Sequence, residues 1–381
     1  MNLFSNFKGL FSIAFADIVT AITSTLFWLY LSTLLSVESY GELFYLLAIA
    51  NMASSISLLG SKQTLLVCIP KNIKLDSALF LLVLVFSAIS SLILLLVYSN
   101  IELSIYVLGT AVFGLGITHI LGKRFYSDYI KYLLIQKFSM VFLSLVLYQF
   151  IEGISGIILG ISISFFVYIP LIIKTFKVNK INFSLFKPNF QFLIYSYFIE
   201  LISASGRHVD KFVIVPLLGF TMMGNYQLGI QFISLFQLLP LIVLKYTIPI
   251  DAVGNSNRYL KILMIVFTSG LTVSIIFLAP VLIPLFFQKF IYVINIVQIL
   301  SFSLVPFTIS TMYVSKFYAK NDSKTVSIGV LFFVLSFILL IILFKDGLDV
   351  NKISIIYVVS TILPVLFYFI VDQKKEILKS E

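Results

Sequence analysis

Charge is what this sequence most lacks. Lys, Arg, Asp and Glu make up 11% of its 381 residues, against roughly 25% in soluble domains, so the chain falls outside the soluble globular class. Cysteine is all but missing: the single Cys68 excludes an intramolecular disulfide and a thiolate metal cluster. Histidine is equally thin. There are two, and His119 has no ligand partner at metal spacing, so no metal site is expected. A nucleotide-binding loop is missing too. "GITHILGKR" ends on Gly122 and Lys123, but Ile117 stands where the phosphate loop needs glycine, and Arg rather than Ser or Thr follows the lysine, which excludes an ATPase of that type.

What the sequence has instead is grease: 60% hydrophobic residues and a mean hydropathy of +1.10. Apolar runs of about 20 residues recur from end to end, each long enough to cross a hydrocarbon core of about 30 Å. Backbone groups in lipid must be satisfied internally, and runs of this length are helices rather than the shorter, alternating strands of a barrel. The expected spans are 6–35, 41–61, 77–98, 102–122, 132–151, 154–173, 189–218, 222–244, 259–286, 291–315, 325–344 and 352–371. The fold class is an all-α polytopic membrane protein of about twelve transmembrane helices. No connection is long enough for an extramembrane domain. No cleaved signal peptide is expected, because the first run is too long and contains Asp17.

The basic residues sort by side. Of the 26 Lys and Arg, 21 fall on the side of the N-terminus, three (Lys289, Lys345 and Lys352) on the opposite side, and Arg207 and Lys211 inside a span. The positive-inside rule then places both termini in the cytoplasm. The net charge of +10 is thus topological, and no nucleic-acid partner is expected.

An internal repeat of 183 residues relates the two halves. Leu35 meets Leu218, Gly41 meets Gly224, Lys62-Gln63-Thr64 meets Lys245-Tyr246-Thr247, and Asp17 meets Glu200. Six spans per half keep both in one orientation, related by a pseudo-twofold axis along the membrane normal. The expected lobes are 1–180 and 181–381, divided in the basic loop Lys174–Pro188.

The seventh span carries "GRHVDK", with Arg207, Asp210 and Lys211 following Glu200. A charge at the bilayer centre costs about 2.5–3.5 kcal/mol, so four of them cannot face lipid. At about 100° per residue, Glu200, Arg207 and Lys211 share a stripe with Asp210 close by. Two readings are open: a helix lining a polar cavity, or a span that ends near Gly206 with Arg207 to Lys211 in an outer loop. In the first span Asp17, Thr20 and Ser24 form a second polar stripe. Asp17 and Glu200 are candidate proton or sodium sites, since a desolvated carboxylate exchanges protons near neutrality; each is equally readable as a packing group.

From Leu31 to Lys71, an acidic turn, Tyr40-Gly41, an apolar span closing on Gly60 and a basic loop follow in order. "VDKFVIVPLLGFTMMGNYQLGIQF" repeats the theme with Asp210, Lys211, Leu218, Gly219, Gly224 and Tyr226. These stretches resemble the polysaccharide-export branch of the multidrug/oligosaccharidyl-lipid/polysaccharide exporter superfamily. The resemblance implies a MATE-like fold of two six-helix lobes around a cavity. It also implies a flippase that moves an undecaprenyl-diphosphate-linked oligosaccharide, such as an O-antigen repeat unit, across the bacterial inner membrane, driven by an ion gradient and without a cofactor. On that reading Arg207 and Lys211 meet the diphosphate, Lys62 and Lys245 are contacts at the cytoplasmic mouth, and Asp17, Glu200 and Asp210 serve ion coupling with H+ or Na+. Membrane lipids, a polysaccharide polymerase and a chain-length regulator are the expected partners. A drug or metabolite cation antiporter of the same superfamily and a membrane polysaccharide polymerase are the competing functions.

Overall fold

A computed structural model describes residues 3–252, 258–290, 292–320 and 322–380, with side chains described except at 3–14, 245–246, 248–252, 258 and 376–380. Every regular element among them is helical. The first half comprises α1 (Leu3–Leu34), α2 (Val37–Ser57), α3 (Ser61–Cys68), α4 (Asp76–Tyr98), α5 (Ile101–Gly122), α6 (Tyr126–Phe150), α7 (Ser155–Ser164) and α8 (Ile169–Val178). The second comprises α9 (Phe186–Ala252), α10 (Arg258–Phe286), α11 (Val293–Ser301), α12 (Leu304–Ala319), α13 (Ser323–Leu343) and α14 (Val350–Ser380).

Among the described residues nine helices are long and apolar enough to cross a membrane, and two bent pairs raise this to eleven: α2 with α3, bent by 47°, and α11 with α12, bent by 41°. One of the nine is the 62-residue run Phe183–Leu244, which at 1.5 Å per residue is about three hydrocarbon thicknesses long. It is broken at Gly219, whose φ of 80° and ψ of 176° lie outside the helical range. Splitting it there yields twelve crossings among the described residues, each overlapping one of the twelve expected spans. The sides of the bundle confirm the solvent: Leu96, Phe150 and Phe277 are 74%, 80% and 75% exposed, which suits lipid and not water. The chain is a multi-pass membrane protein.

The chain divides into two compact units, Met1–Ser24 with Leu46–Ala204, and Thr25–Tyr45 with Ser205–Glu381. Three helices, α1, α2 and α9, therefore contribute residues to both. The core of the first unit runs from Leu58, Leu65 and Leu79 through Leu115 to Tyr168. In the second, Phe317 and Tyr368 pack on Val326, with the Tyr368 hydroxyl donating to the Val326 carbonyl.

The repeat leaves a geometric trace inside the second unit. A methyl added at Gly41 would stand 2.0 Å from the Phe220 carbonyl oxygen, and one at Gly224 would stand 2.0 Å from the Val37 carbonyl oxygen. Residues 220 and 224 are 37 and 41 advanced by 183. Reciprocal contact of this kind, i with j′ and j with i′, is what a two-fold relation produces. Only glycine permits two helix backbones to approach so closely.

Candidate functional site

Two polar centres lie within the helices, one in each unit. In the second unit α9 is helical without interruption from Phe186 through Lys211 to the break at Gly219, so the loop reading of Arg207 to Lys211 is overturned. Pro216 does not end the helix; the turn comes three residues later, where glycine supplies the positive φ. Asp210 and Lys211 are buried, with 6% and 7% exposure. The Lys211 ammonium donates to both Asp210 oxygens at 3.1 Å, and the Lys211 backbone N–H donates to Oδ1 at 2.9 Å. The pair thus neutralises itself within one turn. The rings of Tyr226 and Tyr357 lie 6.5 Å apart, and both tyrosines are within electrostatic reach of the Asp210 carboxylate. Arg207 is exposed.

In the first unit the structure brings together two residues predicted for different roles. Lys62, on α3, places its Nζ 4.0 Å from Oε1 of Glu200 on α9, with side chains 39% and 17% exposed. Asp17 is half-buried on α1 and accepts a 2.6 Å hydrogen bond from the Tyr129 hydroxyl of α6. The hydroxyls of Thr20 and Ser24 bond instead to carbonyls of their own helix, Asp17 O and Thr20 O. Lys245 lies on the second part of α9, and its side chain is outside the described residues.

Sequence reasoning missed three features. Tyr129 and Tyr226 are both buried, and the Tyr129 hydroxyl donates to Asp17. Nothing in the spacing of either tyrosine gives this away. Lys137, assigned to the lysine-rich side, is the twelfth residue of the 25-residue α6 and so sits at mid-span; its ammonium lies 4.0 Å from the Met140 sulfur. At the end of α8, Asn179 donates to both oxygens of the buried Asp76 at 3.0 and 2.8 Å. His119 Nδ1 stands 3.7 Å from that carboxylate. This tie closes α4, α5 and α8 together, and His119 is a packing residue of that group. Among the described residues no group of three or more His, Cys, Asp or Glu can hold a metal ion.

Toward the ends of the spans, the lysine-rich end of the second unit is laced by ion pairs. Lys316 donates to Asp372 at 2.6 Å, and Lys375 donates to Asp322. Partial burial pushes the Asp322 carboxyl up, but hydrogen bonds from Lys375 and Thr325 more than reverse this and hold it below the usual carboxylate range.

Comparison with solved structures gives the architecture a name. An inward-facing multidrug resistance MATE family transporter of the MOP superfamily aligns with a TM-score of 0.75, covering 95% of this chain and 96% of its own at 14% identity. The fold is MATE-like. The lipid II flippase MurJ, in an inward closed conformation, aligns with a TM-score of 0.68 at 17% identity, covering 94% of this chain and 87% of MurJ. A MOP superfamily transporter from Pyrococcus furiosus, described as having a binding pocket of reversed polarity, aligns at 0.63 with 13% identity, over 97% and 95% of the two chains. No protein-family model matches the sequence, and no curated protein sequence matches it either.

Proposed function

We propose that the protein is a flippase that carries an undecaprenyl-diphosphate-linked oligosaccharide repeat unit across the bacterial inner membrane by ion-coupled alternating access. It is a transporter rather than an enzyme, with both termini in the cytoplasm. The observation that carries the reading is the accessibility of two cations on span helices: Arg207 is exposed, and the Lys62 side chain is 39% exposed, on helices of a MATE-like fold. A diphosphate headgroup cannot cross lipid bare, and guanidinium and ammonium groups supply charge-assisted hydrogen bonds to its oxygens. Likeness of fold to the lipid II flippase MurJ supports a lipid-linked cargo. Lys211, clasped by Asp210, serves chiefly to hold the helix in place, and Arg207 and Lys62 take the headgroup, with Lys245 at the cytoplasmic mouth. Asp17, whose carboxylate meets Tyr129, and Glu200 are the sites of proton or sodium exchange.

A second reading is a drug or metabolite cation antiporter. The multidrug transporter aligns at 0.75 and MurJ at 0.68, and Asp17 offers a carboxylate inside a span. It is the weaker one, because exposed cations repel a cationic cargo.

One experiment separates the two. Purified protein in vesicles is supplied with a lipid-linked oligosaccharide and, separately, with a cationic dye, under an imposed ion gradient. Translocation of the sugar lipid, lost by at least tenfold in Arg207→Ala at unchanged protein yield, is expected. Transport of the dye with no movement of the sugar lipid overturns the flippase reading.

A further inference from the structure

We propose that Lys62 is an exchangeable anion site whose occupant in this structure is the Glu200 carboxylate, so that Glu200 acts as an internal stand-in for the headgroup and competes with it. The inference rests on the flippase reading and states how one of its cations is regulated.

The pair is built by two glycines on two elements. The span formed by α2 and α3 breaks at Leu59 and Gly60, both left-handed, with φ of 52° and 69°. A methyl at Gly60 would stand 2.4 Å from the Tyr197 nitrogen, so the break is pressed against α9 one turn before Glu200. Two residues on, the stem of Lys62 crosses Gly114 of α5, where a methyl would meet its Cε at 3.0 Å. The break sets the depth of the lysine and Gly114 lets it lie flat, which aims the ammonium at Glu200.

The ion pairs of the two polar centres differ in kind. Asp210–Lys211 is buried and uses both carboxylate oxygens. Removing either partner leaves an uncompensated charge, so it does not exchange. Lys62 Nζ stands 4.0 Å from Glu200 Oε1, with the lysine side chain 39% exposed. Pairs so open to solvent contribute only a few-fold to an equilibrium constant. A diphosphate brings more charge and more acceptor oxygens than a carboxylate, so it takes the ammonium. When the headgroup leaves, Glu200 reclaims Lys62, and the returning carboxylate keeps binding weak enough for release.

The test measures farnesyl diphosphate binding to the full chain in lipid nanodiscs. Glu200→Gln is expected to bind three- to tenfold more tightly than the unmodified protein, and Lys62→Gln at least tenfold more weakly. The double variant should behave as Lys62→Gln. A pair that only holds helices together gives no opposite signs. Tighter binding in Glu200→Gln with weaker binding in Lys62→Gln supports the proposal. Unchanged or weaker binding in Glu200→Gln, or a double variant as tight as Glu200→Gln, overturns it. If Glu200→Gln loses its monodisperse peak, Glu200→Asp, which shortens the reach to Lys62, should show the same gain at smaller size, and no gain there overturns the proposal. Sugar-lipid translocation by the unmodified protein without tightening in Glu200→Gln sinks this inference and leaves the flippase. Opposite signs in a protein that moves no sugar lipid sink the flippase and leave the competition.

Discussion

Neighbouring residues on an α-helix point about 100° apart and do not ordinarily face each other. Asp210 and Lys211 nonetheless meet, because both start from a buried stretch of α9 and the long lysine stem folds back over its neighbour. The sequence announced charge at this place but not its cancellation. Likewise, Lys62 and Glu200 are legible as candidates one by one, while their meeting depends on the bend at Gly60 and on a contact across 138 positions. Breaking the buried pair has a calculable consequence. Asp210→Asn leaves the Lys211 ammonium enclosed without its counter-charge, a loss of about 3–5 kcal/mol. Thermal unfolding of the purified protein should show that loss as a markedly lowered midpoint, and Asp210→Asn combined with Lys211→Met should recover most of it. A single variant as stable as the unmodified protein would mean that the pair does not hold α9.

At the scale of elements, hydropathy predicts the spans well because burial in lipid is a one-dimensional demand on composition, satisfied segment by segment. Breaks inside spans are less legible. Gly219 ends the first part of α9 with a backbone conformation open to glycine alone, three residues after a proline that signalled the turn only roughly. The break between α2 and α3 falls at Leu59 and Gly60, where the apolar run closes, but hydropathy does not show that the chain continues beyond it as the helix α3. Close packing sets the sharpest element-level prediction. Gly41 and Gly224 admit no methyl, since each would lie 2.0 Å from a backbone carbonyl oxygen that cannot swing aside. Gly41→Ala and Gly224→Ala should each cost several kcal/mol and lower the yield of folded protein in the membrane. Gly270→Ala is the control, because nothing lies within 4 Å of a methyl at that position. Equal yields from all three variants would refute the reciprocal contact.

For the molecule as a whole, orientation follows from the distribution of basic charge. With Lys137 at mid-span, the sequence reading leaves twenty basic residues on the side of the N-terminus and three on the other, and such a bias works during insertion, when lysine and arginine resist translocation. Twelve crossings return the chain to the side on which it began. These two statements make one joint prediction. The lone cysteine, Cys68, is 2% exposed and substitutable by serine, which opens the chain to single-cysteine labelling. Cysteines at Glu152 and Lys345, both exposed, should react with a membrane-impermeant maleimide in intact cells. Cysteines at Lys177 and Lys374, also exposed, should react only after permeabilisation. Complete reversal would keep the twelve crossings and invert the protein. Labelling at Glu152 but not at Lys345 would place an odd number of crossings between them, so that the break at Gly219 would no longer separate two spans.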